Sequence, residues 1–117
     1  MKLNHLNLSV TDVKQAHAFL RTYFGLEGSE PNANIGFLRD DDGFVLTLTS
    51  PKVGGETKVR YPATFHVGFI QPSEVHVDRI NQRLKADGFD VPPPSRQHGS
   101  WTFYFQAPGG VLVEVLA

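Results

Sequence analysis

The sequence predicts an α+β fold built from two βαβββ modules, and three observations carry the prediction. A strand-like alternation followed by a helix-period apolar stripe occurs twice, once from residue 3 and again from residue 64. Both opening strands carry a histidine, His5 and His66, at the same place relative to the helix that follows. The closing strands also overlay, with Gly43–Thr47 falling on Gly110–Glu114. A twofold internal repeat accounts for all three. A single module, at roughly 55 residues, is marginal alone because its sheet needs something to pack against. The chain of 117 residues therefore reads as one domain. Module 1 covers about 1–52, a linker about 53–62, and module 2 about 63–117.

In residues 3–10, Leu6, Leu8 and Val10 point one way and His5, Asn7 and Ser9 the other, the period of a half-buried strand. Thr11 or Asp12 can cap a helix whose stripe is Val13, Ala16, Leu20 and Tyr23/Phe24, with Gly25 placed for a left-handed C-cap. Short strands are expected at 26–30 and 34–39. A turn at Asp40–Gly43 and a strand over 44–49 follow. The three aspartates do not match the spacing of an EF-hand loop. Pro51, Gly54, Gly55 and Pro62 mark a loop between the halves. In the second half, 64–70 reads as a strand, and Ser73 caps a helix whose stripe is Val77, Ile80 and Leu84 and which ends at Gly88. A short strand near 89–91 precedes the break at Pro92–Pro94, and a hairpin of 101–106 and 111–116 closes the chain.

Eleven Lys and Arg against twelve Asp and Glu give a net charge of -1, with no basic cluster, so nucleic acid is not an expected partner. The absence of cysteine excludes disulfides, thiolate nucleophiles, iron–sulfur clusters and Cys-type zinc sites. The N-terminal residues form no signal peptide, and no apolar run approaches the roughly 20 residues that cross a bilayer. A soluble, cytoplasmic protein with no membrane partner is the expectation.

Glu114 stands out because it sits in VLVEVLA, an otherwise apolar strand. A carboxylate there must face water, be paired, or bind a cation, since isolated burial is costly. A strand histidine taken alone suits a structural role. Two histidines at equivalent positions plus a carboxylate on the repeat's last strand point instead to a two-His, one-carboxylate metal site with open positions. One divalent ion, Mn, Fe, Ni, Co or Zn, fits those ligands. Thr47 takes the place equivalent to Glu114, and threonine ligates these ions poorly, which leaves three protein ligands.

NHLNLSVTDVKQAHAFLRTYFGLEG, HVGF and FYFQAPGGVLVEV resemble the signature segments of the vicinal oxygen chelate superfamily. That group includes glyoxalase I, the bleomycin- and fosfomycin-resistance proteins and the extradiol dioxygenases. The resemblance spans the chain. It implies two βαβββ modules forming a curved sheet around a metal-lined cleft, with His5, His66 and Glu114 at ligand positions. Glyoxalase I has a fourth ligand, a glutamate, where this chain has Thr47. Tyr104 matches a substrate-contacting tyrosine of the thiol-transferring fosfomycin-resistance enzymes; its other reading is a strand aromatic packing in the sheet. The basic C-terminal extension of those enzymes is missing from this sequence. His98 is the one candidate for the acid–base histidine of the dioxygenases; its other reading is a solvated loop residue. His17 and His76 lie on helices and read as surface or boundary residues.

In such an architecture the loop with Arg96, Gln97, Ser100 and Trp101 lies over the cleft. Asn7, Thr47, Arg96 and Trp101 are accordingly the expected substrate-binding residues, and Tyr104 and His98 the expected catalytic ones. The function implied is a metal-dependent enzyme, a lyase, dioxygenase or transferase, acting on a small molecule that chelates the ion through two oxygens. The rival is a non-catalytic binding protein of the bleomycin-resistance kind. A homodimer with sites at the chain interface is the expected assembly.

Overall fold

A computed structural model describes all residues, 1–117. The chain forms two compact units, Met1–Tyr61 with Pro108–Gly110, and Pro62–Ala107 with Val111–Ala117. Each contains helix and sheet, in agreement with the α+β expectation.

In the first unit, strand β1 (His5–Ser9) leads into helix α1 (Val13–Phe24), followed by strands β2 (Ile35–Arg39) and β3 (Val45–Thr49). The sheet order is β1-β3-β2, with β1 parallel and β2 antiparallel to β3. Helix α1 starts where Asp12 accepts the Gln15 amide at 3.0 Å and stops at left-handed Gly25. Its apolar stripe, Val13, Ala16, Phe19 and Leu20, is buried, as are Leu8, Leu38, Leu46 and Leu48 of the sheet. The expected strand at 26–30 shrinks to a single bridge, Glu27 to Arg39. Pro31 offers no amide to extend it. At Gly28 the backbone passes so close to β2 that a Cβ would stand 1.9 Å from the Phe37 carbonyl oxygen. The Asp40–Gly43 turn forms as expected, with Asp40 Oδ1 accepting the amides of Asp42 and Phe44.

The segment after β3 is more ordered than a loop. It begins with a 3-10 helix over Pro51–Gly54 and ends at Tyr61. The Tyr61 hydroxyl accepts the Ser9 amide at 2.7 Å and donates to the Ser9 carbonyl at 2.8 Å, so a side chain supplies the edge of β1 with a partner. Burial raises the Tyr61 pKa above 10.0, and the bond to Ser9 opposes that rise.

In the second unit, β4 (His66–Ile70), α2 (Glu74–Ala86), β5 (Ser95–Gln97), β6 (Ser100–Ala107) and β7 (Val111–Leu116) follow in sequence. The sheet order is β4-β7-β6-β5, with β4 parallel to β7. Val77 and Leu84 of α2 are buried, along with Phe103, Phe105, Val113 and Val115. Asn81, rather than the expected Ile80, takes the third buried position of the helix. Its amide donates to the Pro92 carbonyl at 2.7 Å, so a side chain holds 89–92 where a strand was expected. Pro92–Pro94 have no amides for a ladder, and β5 forms only beyond them. No helix is long and apolar enough to cross a membrane.

The two sheets share one register. His5 lies opposite Val45 and Asn7 opposite Thr47 in one; His66 lies opposite Leu112 and Gly68 opposite Glu114 in the other. On the far side of the last strand, Phe37 faces Thr47 and Tyr104 faces Glu114. The overlay of Thr47 on Glu114 therefore holds in the hydrogen-bond ladder, and it extends to Phe37 on Tyr104 and Ile35 on Thr102.

Candidate metal centre

Side chains alternate along β6, so Trp101, Phe103 and Phe105 share one face and Thr102 and Tyr104 the other. The indole of Trp101 donates to Asp78 on α2 at 2.7 Å, which identifies its face as the helix side. Thr102, Tyr104, Glu114, Gly68 and His66 stand on the opposite face.

There, His66 Nδ1 lies 2.9 Å from the Thr64 carbonyl oxygen. A carbonyl only accepts, so Nδ1 carries a proton, and in the neutral ring Nε2 presents a lone pair. Nε2 points at Glu114 Oε2, 3.4 Å away. Two electron-pair donors converging in this way need a proton on Nε2 or a cation to make the approach favourable. The Glu114 side chain is 11% exposed and that of His66 38%, so the pair opens to solvent on the histidine side. The other carboxylate oxygen, Oε1, accepts from the Thr102 hydroxyl at 2.9 Å. Tyr104 hydrogen-bonds Glu114 and sets its ring edge-on to His66, centroids 5.4 Å apart. Burial, and then the hydrogen bond and charge of Glu114, raise the Tyr104 pKa above 10.0, so its hydroxyl keeps its proton at neutral pH.

The first unit repeats half of this arrangement. His5 Nδ1 lies 2.7 Å from Asn4 Oδ1, so here too an oxygen acceptor holds the Nδ1 proton, and in the neutral ring Nε2 keeps its lone pair. The Asn7 amide donates to Thr49 Oγ1 at 3.1 Å beside Thr47. Phe37, on the same face, is 49% exposed. An imidazole whose Nδ1 is tied to an oxygen, next to a carboxylate, is the donor set that divalent ions from Mn to Zn accept. No three His, Asp or Glu side chains of the chain are grouped to hold a metal ion. The structure brings together His66, Glu114 and Tyr104, and His5 belongs to no such group.

The other expected residues lie elsewhere. Arg96 ion-pairs with Glu74 on α2 at 2.6 Å and lies over the Trp101 ring, 5.4 Å from its centroid. Both Arg96 and Trp101 are thus engaged on the helix side of the sheet rather than on the face of Glu114. Strand β5 causes this difference, since it pairs Arg96 with Trp101 and fixes the side on which both project. His98 has φ 53 and Gly99 φ 78, a two-residue turn of the kind that requires positive φ at both positions. The tip of that hairpin stands beyond Ser100, which is four strand positions, roughly 13 Å, from Tyr104. His17 corrects the surface reading: it is 2% exposed, with Nε2 3.3 Å from the Phe37 carbonyl. Gly36 makes room for it, since a Cβ there would crowd the ring at 3.2 Å. His76 is exposed, and its Nδ1 lies 2.8 Å from Ser73 Oγ.

Sequence reasoning missed Thr102, Asn4, Phe37 and the Thr64 carbonyl. Thr102 had a legible signal, since it lies two residues before Tyr104 and so shares its face. The Thr64 carbonyl had none, because any residue supplies one.

The profile of the Glyoxalase/Bleomycin resistance protein/Dioxygenase superfamily matches residues 2–115. Among solved structures, a possible glyoxalase from Bacillus cereus is 51% identical at TM-score 0.89, over 100% of this chain and 99% of that one. A fosfomycin resistance protein, FosX, from Listeria monocytogenes shares the fold at 24% identity and TM-score 0.79, over 100% of this chain and 93% of its own. Lactoylglutathione lyase from Agrobacterium tumefaciens does so at 24% and TM-score 0.77, over 98% and 92%. No curated protein matches the chain.

Proposed function

The chain belongs to the Glyoxalase/Bleomycin resistance protein/Dioxygenase superfamily, and from that premise we propose that it is a metal-dependent enzyme acting on a small molecule that chelates a divalent ion through two oxygens. His66 and Glu114 hold the ion, and His5 completes the set from a second copy of the chain in a homodimer. The observation that carries this reading is the approach of His66 Nε2 to Glu114 Oε2 at 3.4 Å, with Nδ1 tied to the Thr64 carbonyl. The Bacillus cereus protein, described as a possible glyoxalase, supports the same class of chemistry.

When bound, the ion supplies Lewis acidity toward a substrate oxygen that gains negative charge. The Thr64 carbonyl favours the neutral His66 tautomer with its proton on Nδ1, the form in which Nε2 can act as a ligand. Tyr104 retains its phenolic proton beside Glu114, and a substrate oxygen bound there would take over that hydrogen bond from the carboxylate. Thr47 lacks a carboxylate, so its position, with Asn7, is left for polar contact with the substrate.

Metal analysis of untagged, chelator-free protein tests the reading: about one divalent ion per chain is expected, lost in His66→Ala. Protein that takes up none of Mn, Fe, Co, Ni or Zn overturns it. Sharing between chains is tested by refolding His5→Ala together with a His66→Ala/Glu114→Ala double variant. Metal binding that returns only in the mixture supports shared sites. Mixed dimers without recovery show that each site is built within one chain.

A further inference from the structure

We propose that Thr102 is a positioning residue for the metal-binding carboxylate: its hydroxyl holds Glu114 Oε1 and thereby turns Oε2 toward His66 Nε2. The inference rests on the metal reading above for its functional meaning, and on geometry alone for the positioning itself.

Thr102 is 0% exposed, so its hydroxyl has no water to bond and must find a partner in the protein. Two acceptors are in reach, Glu114 Oε1 at 2.9 Å and the Val115 carbonyl at 3.0 Å. One hydroxyl has one proton, and an ionised carboxylate is the stronger acceptor. A carboxylate gripped at one oxygen loses the freedom to rotate, so its second oxygen is presented in one direction. That direction is toward His66, at 3.4 Å. The unit without a carboxylate also lacks the hydroxyl. Thr47 replaces Glu114, and Ile35, opposite Thr49, stands where Thr102 stands opposite Leu116. Hydroxyl and carboxylate therefore occur together, on the same face of one sheet.

Valine has the shape of threonine without the donor, and serine keeps the donor without the methyl. Two measurements separate positioning from packing. Crystal structures of the metal-free variants read the carboxylate directly: Thr102→Ser keeps the approach of Oε2 to His66 Nε2, and Thr102→Val loses it. Cobalt titration followed by ligand-field absorption then reads the consequence. About a 10- to 100-fold weaker affinity is expected for Thr102→Val, with near wild-type affinity for Thr102→Ser. A Thr102→Val structure with the carboxylate unmoved overturns the proposal, as does equal loss of affinity in both variants. If valine prevents folding, Thr102→Ala replaces it in both measurements. Wild-type protein that binds no cobalt, with the carboxylate displaced in Thr102→Val, leaves the positioning intact and removes the metal reading instead.

Discussion

The two units present the same row of positions on the face of each sheet that lies away from its helix, and they fill it differently. In the first, Asn7, Thr47 and Phe37 run across the strands, with Ile35 beside them; in the second, Gly68, Glu114 and Tyr104 do so, with Thr102 beside them. The backbone register is common to both, so the contrast lies in the side chains alone. Where the second unit places a carboxylate it also places a hydroxyl to hold it, a phenol beside it, and a glycine opposite it. A Cβ at Gly68 would lie 3.7 Å from Glu114 Oε2, ordinary contact that a larger side chain would turn into a shield. The first unit keeps only the imidazole, with its Nδ1 tied down in the same sense. A duplicated scaffold thus supplies one complete carboxylate arm and one histidine arm.

The strongest way to break the comparison is to exchange its defining pair. Glu114→Gln is expected to abolish metal binding, whereas Thr47→Ala at the equivalent position leaves stoichiometry unchanged. Equilibrium dialysis with cobalt reads both, and loss of metal in Thr47→Ala would show that the first unit contributes a ligand at this position after all. A smaller effect separates the helices. Asp12 caps α1 through the Gln15 amide, while the Ser73 side chain makes no such bond to α2. Asp12→Ala should cost about 1 kcal/mol in urea unfolding, and Ser73→Ala clearly less. Equal costs would mean that the Ser73 contact with His76 does the work of a cap.

The smallest expected effect concerns pH. Tyr61 in the first unit and Tyr104 in the second both have pKa values raised above 10.0 in the folded state. Both phenols are protonated in the folded and unfolded states below pH 10. Above it the unfolded chain releases the protons first, so the stability they contribute is lost as pH rises through the folded pKa values. Tyrosinate absorbance should show late-titrating phenols, reduced in Tyr61→Phe and in Tyr104→Phe, with a shallower fall in stability above pH 10. In Glu114→Gln the Tyr104 phenol should titrate earlier, and an unchanged titration there would contradict the coupling to Glu114.

Much of this was legible in the residues. The repeat, the helices and the placing of His66 and Glu114 on one face follow from spacing, because strand and helix periods assign each side chain to a face before any packing is known. The part that was not legible depended on contacts distant in sequence. Arg96 and Trp101 look free to reach a ligand until β5 pairs with β6 and commits both to Glu74 and Asp78. His17 looks like a surface or boundary residue until Gly36 leaves space for its ring. The strand expected at 89–91 yields to a side-chain hydrogen bond from Asn81, and a search for alternation is blind to such bonds.

The sequence by itself determined the α+β class, the duplicated order of elements and which residue types face together, since these depend on periodicities of 2.0 and 3.6 that local geometry imposes. Only the tertiary structure decided the tautomer of His66, the grip of Thr102 on Glu114 and the face that Arg96 occupies. Each is settled by a partner brought within 3 Å by strand pairing or chain reversal, and hydrogen bonds are short-range, weakening steeply once donor and acceptor separate.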